Sequence, residues 1–529
     1  MYMKRAKRIL ALLMALLTVL SLAGCGKKDD ASLRIGLIGQ CTVLDPAMAT
    51  TDSEKIGVSH LYENLMKLVP DGDGGTQLVN GQIRSYQCED DVDGTQTYTF
   101  TLRDDIKWSA GQPVTANDFV YAWQHLVDPA TKSPNAMLLS VVSGYDSALK
   151  KGDASCLQVQ AEDDQTLVVK LNCRCAYFLS AICTSPATMP QRADNPSDGN
   201  GAYRIVAQDG NNLRLVKKTN YYDSDRIIPD ELNVTFCNDS SELSALYKDK
   251  ELDFALYQPG VGAVEGADFY PCTTALLVNQ SAPSLKSESL RQAMSLVIDR
   301  NALVGQLGGA YMPADGLVTY GILTEDGTTT FRDANGALID NDSKHYADNC
   351  TAATAKMTEA GLDNTTALSA LGKITLLYEK NDTNDKVANL LQQTWHDKLG
   401  VTVTLNAVPA KDMAAALKKG EFTLAMTDVN AAYNDATAFL RTFRSTASGN
   451  YGHFRSSAYN MLLQVAATSS SDEARKAYLE DAERLLLEKG GVIPLYSTLC
   501  SHELRDGLTG LYGNGMGVYY FSSMNEVKN

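Results

Sequence analysis

Tyr98, Phe100 and Leu102 alternate with polar residues, the period of a strand with one face on a core. Asp93-Gly94 just upstream is a hairpin turn signal and predicts a second strand before it. Gly111 and Pro113 break the pattern. Thr115 then reads as a helix N-cap with Asp118 three residues on, and Phe119, Val120, Trp123, Leu126 and Val127 follow at helical spacing. The same two periods recur along the chain. Residues 33–46 read as an apolar strand entering a loop, Ile56 to Leu68 as a helix, and Asp163 to Leu171 as a strand with a polar entry. Ala275 to Asn279 is a buried-strand pattern, followed by a helix over Glu288 to Val297 with Leu290, Met294, Val297 and Ile298 on one face. Lys373 to Glu379 (strand), Val387 to Leu399 (helix stopped by Gly400) and Val401 to Leu405 (strand) form a β-α-β run, which predicts a parallel or mixed sheet. Phe422, Leu424 and Met426 alternate as a strand, and Ala474 to Leu487 is a helix stopped by Gly490-Gly491. The fold class is α/β.

The 529 residues are 44% hydrophobic and 21% charged, enough for two to four domains with sizeable cores. The formal charge is −16. Residues 1–24 hold Lys4, Arg5, Lys7 and Arg8 and no acids, so their removal leaves 63 acids against 43 bases. Such an acidic chain, with no basic cluster after residue 28, excludes nucleic acid as a partner.

The four basic residues precede the apolar run Ile9 to Leu22, whose length suits a secretory signal rather than a membrane span. It ends in Leu22-Ala23-Gly24-Cys25, which looks like a bacterial lipobox with Cys25 as the lipidated residue. Residues 1–24 are thus expected to be a lipoprotein signal peptide and 25–32 a tether, with the protein on the outer face of the cell membrane and held by lipid alone. Ten other cysteines permit disulfides whose pairing the sequence leaves open. Cys173, Cys175 and Cys183 lack a nearby histidine and the C-x-x-C spacing of zinc sites, so buried thiols or a bridge are expected there. The chain has no G-x-S-x-G, H-E-x-x-H or Walker loop; Gly260, Gly262 and Gly266 make only a loose glycine run. Its six histidines are scattered, and Asp71, Asp73, Asp90, Asp91 and Asp93 read as turn residues. Neither an enzyme nor a metal or other cofactor is expected.

Trp108-Ser109-Ala110-Gly111-Gln112-Pro113-Val114-Thr115-Ala116-Asn117-Asp118-Phe119 resembles the segment W-S-D-G-x-P-V-T-A-x-D-F, with Ala110 in place of the usual acid or amide. Leu44-Asp45-Pro46, Leu61 to Leu65, Asn200 to Tyr203, Asn220 to Tyr222, Leu246 to Ala255 (with Lys250 for a Gly), Arg291 to Ala293, Ile298 to Arg300 and Ile493 to Tyr496 match further family segments. On these the chain resembles the oligopeptide and dipeptide solute-binding proteins of ATP-binding-cassette transporters, over about residues 33–529. The resemblance implies a two-lobed fold like that of periplasmic binding proteins, with ligand closed between lobes and two hinge crossings. Lobe I would comprise 33–60, 181–275 and 497–529, an inserted domain 61–180, and lobe II 276–496. It also implies an oligopeptide ligand, a membrane permease as partner, and a monomer.

Residues 429–440 match the family pattern W-x-A-D-Y-x-D-P-x-x-F-L, whose first Asp pairs with the free α-amino group of a bound peptide. Here Val429 stands at the Trp, Ala432 at that Asp and Ala436 at the Pro. Asp435 matches the second Asp, a loop-capping group, and Asp428 lies four residues early, about 13 Å away along a strand. Loss of a charged partner for a buried ammonium costs about 3–5 kcal/mol. Three readings follow: a peptide held by main-chain bonds with another acid supplying the charge; an N-blocked peptide, peptidoglycan fragment or other solute; or a surface interaction protein that kept the fold. A secreted hydrolase lacks any supporting motif. The expected ligand contacts are Gln40, Cys41 and Thr42 on lobe I, Val429, Asn430, Ala431, Ala432 and Tyr433 on the opposing strand edge, and Tyr496 and Ser497 at the return crossing.

Overall fold

The computed structural model describes residues 32–40, 44–72, 75–92, 94–263, 266–324, 329–469 and 471–526. The signal peptide, Cys25, Cys41 and Thr42 lie outside the described residues.

Three sheets carry the architecture. The first orders His502–Leu504, Phe254–Leu256, Ser32–Ile38, Glu231–Cys237, Asn212–Lys217 and Tyr203–Gln208. Its centre is parallel: Ser32–Ile38 lies between Glu231–Cys237 and Phe254–Leu256, with Ile35 opposite both Val234 and Phe254. The second orders Tyr311–Pro313, Val492–Cys500, Asp268–Val278, Leu424–Asn430, Ile374–Glu379 and Val403–Val408. The third is antiparallel, in the order Ile83–Asp90, Gln96–Leu102, Thr166–Leu171 and Val159–Ala161.

The β-α-β run at 373–405 folds as its pattern predicts. Ile374–Glu379 pairs in parallel with Val403–Val408 through the helix Asp382–Leu399, capped by Asn381 at its start and by Gly400 (φ 67°) at its end. Ala275 to Val278 reads as continuously apolar because both faces of the strand Asp268–Val278 are covered there. Leu276 and Val278 enter one core with Leu376 and Trp395, whereas Ala275 and Leu277 enter another with Phe439 and Leu486. The expected helix over Ile56 to Leu68 is shorter. It spans Asp52–Leu61 and gives way to the strand Met66–Pro70. The break follows from Asn64, whose amide oxygen accepts from Leu65 N (2.8 Å) and whose nitrogen donates to Ser185 O (2.8 Å), competing with helical bonds.

The Trp108–Phe119 segment is a structural joint. Trp108, Phe119 and Trp123 are fully buried in the core shared by the first and third sheets. Asp118 Oδ2 accepts from Thr115 N (2.7 Å) in a capping box, and Gly111 turns at φ 97°. Ser109 Oγ donates to Gly199 O (2.8 Å) and Ala110 N to Asp198 Oδ1 (3.1 Å), which ties this turn to the strand that returns to the first sheet.

The chain crosses from the first to the second sheet between Leu256 and Asp268, and back between Cys500 and His502. The expected lobe limits at 275/276 and 496/497 fall inside Asp268–Val278 and Val492–Cys500. The nine described cysteines outside Cys25 and Cys41 are free thiols, and burial pushes those of Cys175 and Cys183 upward in pKa. Among the described residues no helix is long and apolar enough to cross a membrane.

Candidate functional site

Leu424–Asn430 is bonded along one edge to Asp268–Val278, with Thr274 opposite Asp428 and Cys272 opposite Asn430. Ala431 N extends this ladder by donating to Pro271 O (2.9 Å). On the other edge, Ile374–Glu379 pairs only with Leu424, Ala425 and Met426. From Thr427 onward no described strand covers that edge. In an antiparallel ladder alternate residues turn their N–H and C=O groups away from the partner. The Ala431–Pro271 bond therefore assigns Asp428 and Asn430 to the set that faces the open edge.

Side chains alternate in step. Asp428, Asn430 and Ala432 are exposed, while Val429 and Ala431 are buried in the second-sheet core. Asp428 Oδ1 accepts from the Thr274 hydroxyl (2.6 Å). Tyr433 turns toward the third-sheet unit and stacks on Tyr177, with ring centroids 4.5 Å apart and planes 13° apart. Arg441 Nη1 donates to the Tyr177 hydroxyl (3.1 Å). Asp435 is 4% exposed and caps its loop, accepting from Thr437 N (2.9 Å) and Arg475 Nη2 (2.9 Å), so its carboxylate is committed within the loop.

The remaining expected contacts are spread out. Gln40 is exposed at the end of Ser32–Ile38. Tyr496 and Ser497 are each 3% exposed; Tyr496 packs edge-on to Tyr311 at 5.1 Å. Next to Pro271, whose carbonyl takes the Ala431 N–H, stands Tyr270, which sequence reading passed over together with its partner Asp52. Asp52 opens the helix Asp52–Leu61 and accepts from the Tyr270 hydroxyl (3.3 Å). Gly517 (φ 79°) approaches both so closely that a Cβ there would lie 2.8 Å from Asp52 Oδ1 and 3.0 Å from Tyr270 Cε2. Burial raises the pKa of Asp52, with Lys55 and the Tyr270 hydroxyl opposing. In the sequence Asp52 is indistinguishable from an ordinary first-turn acid, and Tyr270 from a strand aromatic.

The model of the bacterial extracellular solute-binding proteins, family 5, matches residues 84–451, well over half the chain. The dipeptide-binding protein DppE of Bacillus subtilis is 27% identical, covering 97% of this chain and 98% of the relative. The periplasmic murein peptide-binding protein MppA of Escherichia coli is 28% identical, over 92% and 91% of the two chains. Among solved structures, the unliganded open form of the murein tripeptide binding protein MppA superposes with a TM-score of 0.77 at 26% identity, covering 95% of this chain and 98% of that one. The chain belongs to the bacterial extracellular solute-binding proteins, family 5.

Proposed function

We propose that this protein is the extracytoplasmic receptor of a peptide importer of the ATP-binding-cassette class, capturing oligopeptides between two lobes and passing them to a membrane permease. One observation carries the reading: the strand edge beyond Met426 is open, and the main-chain groups of Asp428 and Asn430 face it. An extended peptide is the ligand that such an edge pairs with, since main-chain bonds give affinity without reading side chains. Relatives named for dipeptide, murein peptide and oligopeptide binding support it. Lobe I is then the unit around the first sheet, the third sheet its insertion, and the second sheet lobe II. Lobe closure over the ligand is the expected mode of capture. Cys25 would carry the lipid anchor, and Cys25→Ser should release the protein from membranes.

Ala432, where the family pattern has an acid, favours a second reading in which the ligand lacks a free amino group, as in an N-blocked peptide or peptidoglycan fragment. Calorimetry with a mixed set of tri- to pentapeptides tests the first. Saturable binding is expected; no binding of any peptide contradicts it.

A further inference from the structure

The segment 441–455 holds Arg441, Arg444, His453 and Arg455 and no acid, in a chain whose formal charge is −16. Together with the end of the helix Ala410–Lys419 it lines a cavity of about 260 Å³ on the second-sheet unit. Lys418 stands on the helix side and His453 and Arg455 on the loop side, and the hydroxyls of Ser445, Thr446 and Ser448 complete the wall. No carboxylate lines it. The cations come from two separate segments, so no run of basic residues marks them in the sequence.

The wall is fixed from behind. Asn450 is 9% exposed; its amide nitrogen donates to Phe454 O (2.8 Å), and its oxygen accepts from Phe454 N (3.0 Å). Asn279, buried, donates to Phe422 O (2.8 Å) and Gly420 O (3.2 Å), which sets the end of the helix. There a Cβ on Gly420 would lie 3.6 Å from His453 Nε2. Gly452 O accepts from Gln280 N (2.9 Å), so the loop is pinned just beyond the Val278 end of Asp268–Val278. By strand rise that end lies about 23 Å from Pro271 and the open edge.

The donors in front are unspent. The Ser445 hydroxyl oxygen accepts from Asn460 Nδ2 (2.9 Å), which leaves its proton to give. Among the described residues the side chains of Lys418, His453 and Arg455 form neither an ion pair nor a hydrogen bond. The carbonyl pole of a helix favours a lysine in its last turn, which accounts for Lys418. His453 and Arg455 lie outside any helix and have no such partner.

We propose that this cavity binds a tetrahedral oxyanion, the phosphate group of a free phosphate ion or of a phospholipid headgroup. Arg455 offers a planar fork of donors that matches two phosphate oxygens, Lys418 a compact charge, and the hydroxyls neutral donors. Convergent cations repel one another until an anion sits among them. The site is separate from the peptide edge and does not depend on the peptide reading.

The test is calorimetry on the chain from Gly26 onward, which retains every described residue, titrated with inorganic phosphate at low ionic strength. Saturable binding is expected. Arg455→Gln and Lys418→Gln should each weaken it about tenfold, the low end for a charge-assisted hydrogen bond, and the double variant should abolish it. Lys411→Gln, on the exposed first turn of the same helix and outside the cavity, should bind phosphate as the wild-type protein does. All three side chains are exposed and unbonded, so the variants keep the fold, which melting curves check, and peptide affinity should not change. Sedimentation with phosphatidylglycerol vesicles but not with phosphatidylcholine vesicles, lost in the double variant, assigns the phosphate to a lipid headgroup. Binding of inorganic phosphate without sedimentation assigns it to the free ion. Absence of saturable phosphate binding, or a loss in Lys411→Gln equal to that in Arg455→Gln, overturns the site.

Discussion

Tyr177 lies flat against Tyr433, 4.5 Å between ring centroids, although one belongs to the third-sheet unit and the other to the turn after Leu424–Asn430. The Tyr433 ring thereby packs on the core shared by the first and third sheets. An offset aromatic pair contributes about 0.5–1.5 kcal/mol beyond its buried area. This contact biases the two halves toward each other over the open edge.

Tyr177→Ala should therefore weaken peptide affinity by about two- to tenfold, the equilibrium equivalent of that pair energy. Tyr177→Phe keeps the stack, loses the hydroxyl's bonds, that from Arg441 among them, and should bind close to wild type. Titration calorimetry of the two variants separates stacking from the hydroxyl.

Gly517→Ala combines two penalties. A left-handed backbone costs a non-glycine residue about 1–2 kcal/mol, and the added methyl intrudes on Asp52 and Tyr270. The variant should melt lower than the wild-type protein in a thermal unfolding scan. An unchanged melting temperature would contradict the close approach of Gly517 to Asp52 and Tyr270.

Glu483 and Arg332 are 0% and 1% exposed and bonded to each other, and Glu483 Oε1 also accepts from Leu317 N (2.7 Å) and Val318 N (2.9 Å). Glu483→Ala strands a buried guanidinium and two amides. It should cost about 3–5 kcal/mol in urea unfolding, without an effect of that size on binding by the folded protein.

His60 is buried and neutral: Nδ1 donates to Ile56 O (2.8 Å) and Nε2 accepts from Phe521 N (3.2 Å). Burial lowers its pKa from 6.5 to about 4. The contribution of the neutral ring is thus complete above pH 6.5 and is lost as pH falls toward 4, because only the unfolded chain takes up the proton in that window. The loss amounts to about 3 kcal/mol. Urea midpoints measured between pH 7 and pH 4 should fall in the wild-type protein and fall less in His60→Gln.

Local periodicity made much of the scaffold legible. The Tyr98–Val127 stretch and the β-α-β run after residue 373 encode their own strands, caps and stops, so their elements follow from nearest neighbours. The helix at 56 was overextended because Leu61, Leu65 and Leu68 keep helical spacing across a break made by one asparagine side chain. The cleft is different in kind. The open edge at Asp428 and Asn430 exists because Ile374–Glu379, some fifty residues earlier, reaches only Met426. Asp52 acquires its setting from Tyr270 and Gly517, more than two hundred residues downstream. No window of sequence contains those relationships. Ala432, standing where the family pattern has an acid, was the one local clue to the cleft.

The most direct measurement is amide hydrogen exchange across residues 424–433, with and without a saturating free-N-terminus peptide. If an extended peptide pairs with the open edge, the Asp428 and Asn430 amides slow markedly on binding, while those of Val429 and Ala431, turned toward Asp268–Val278, change little. Unchanged exchange at Asp428 and Asn430 under saturating peptide would contradict capture at this edge.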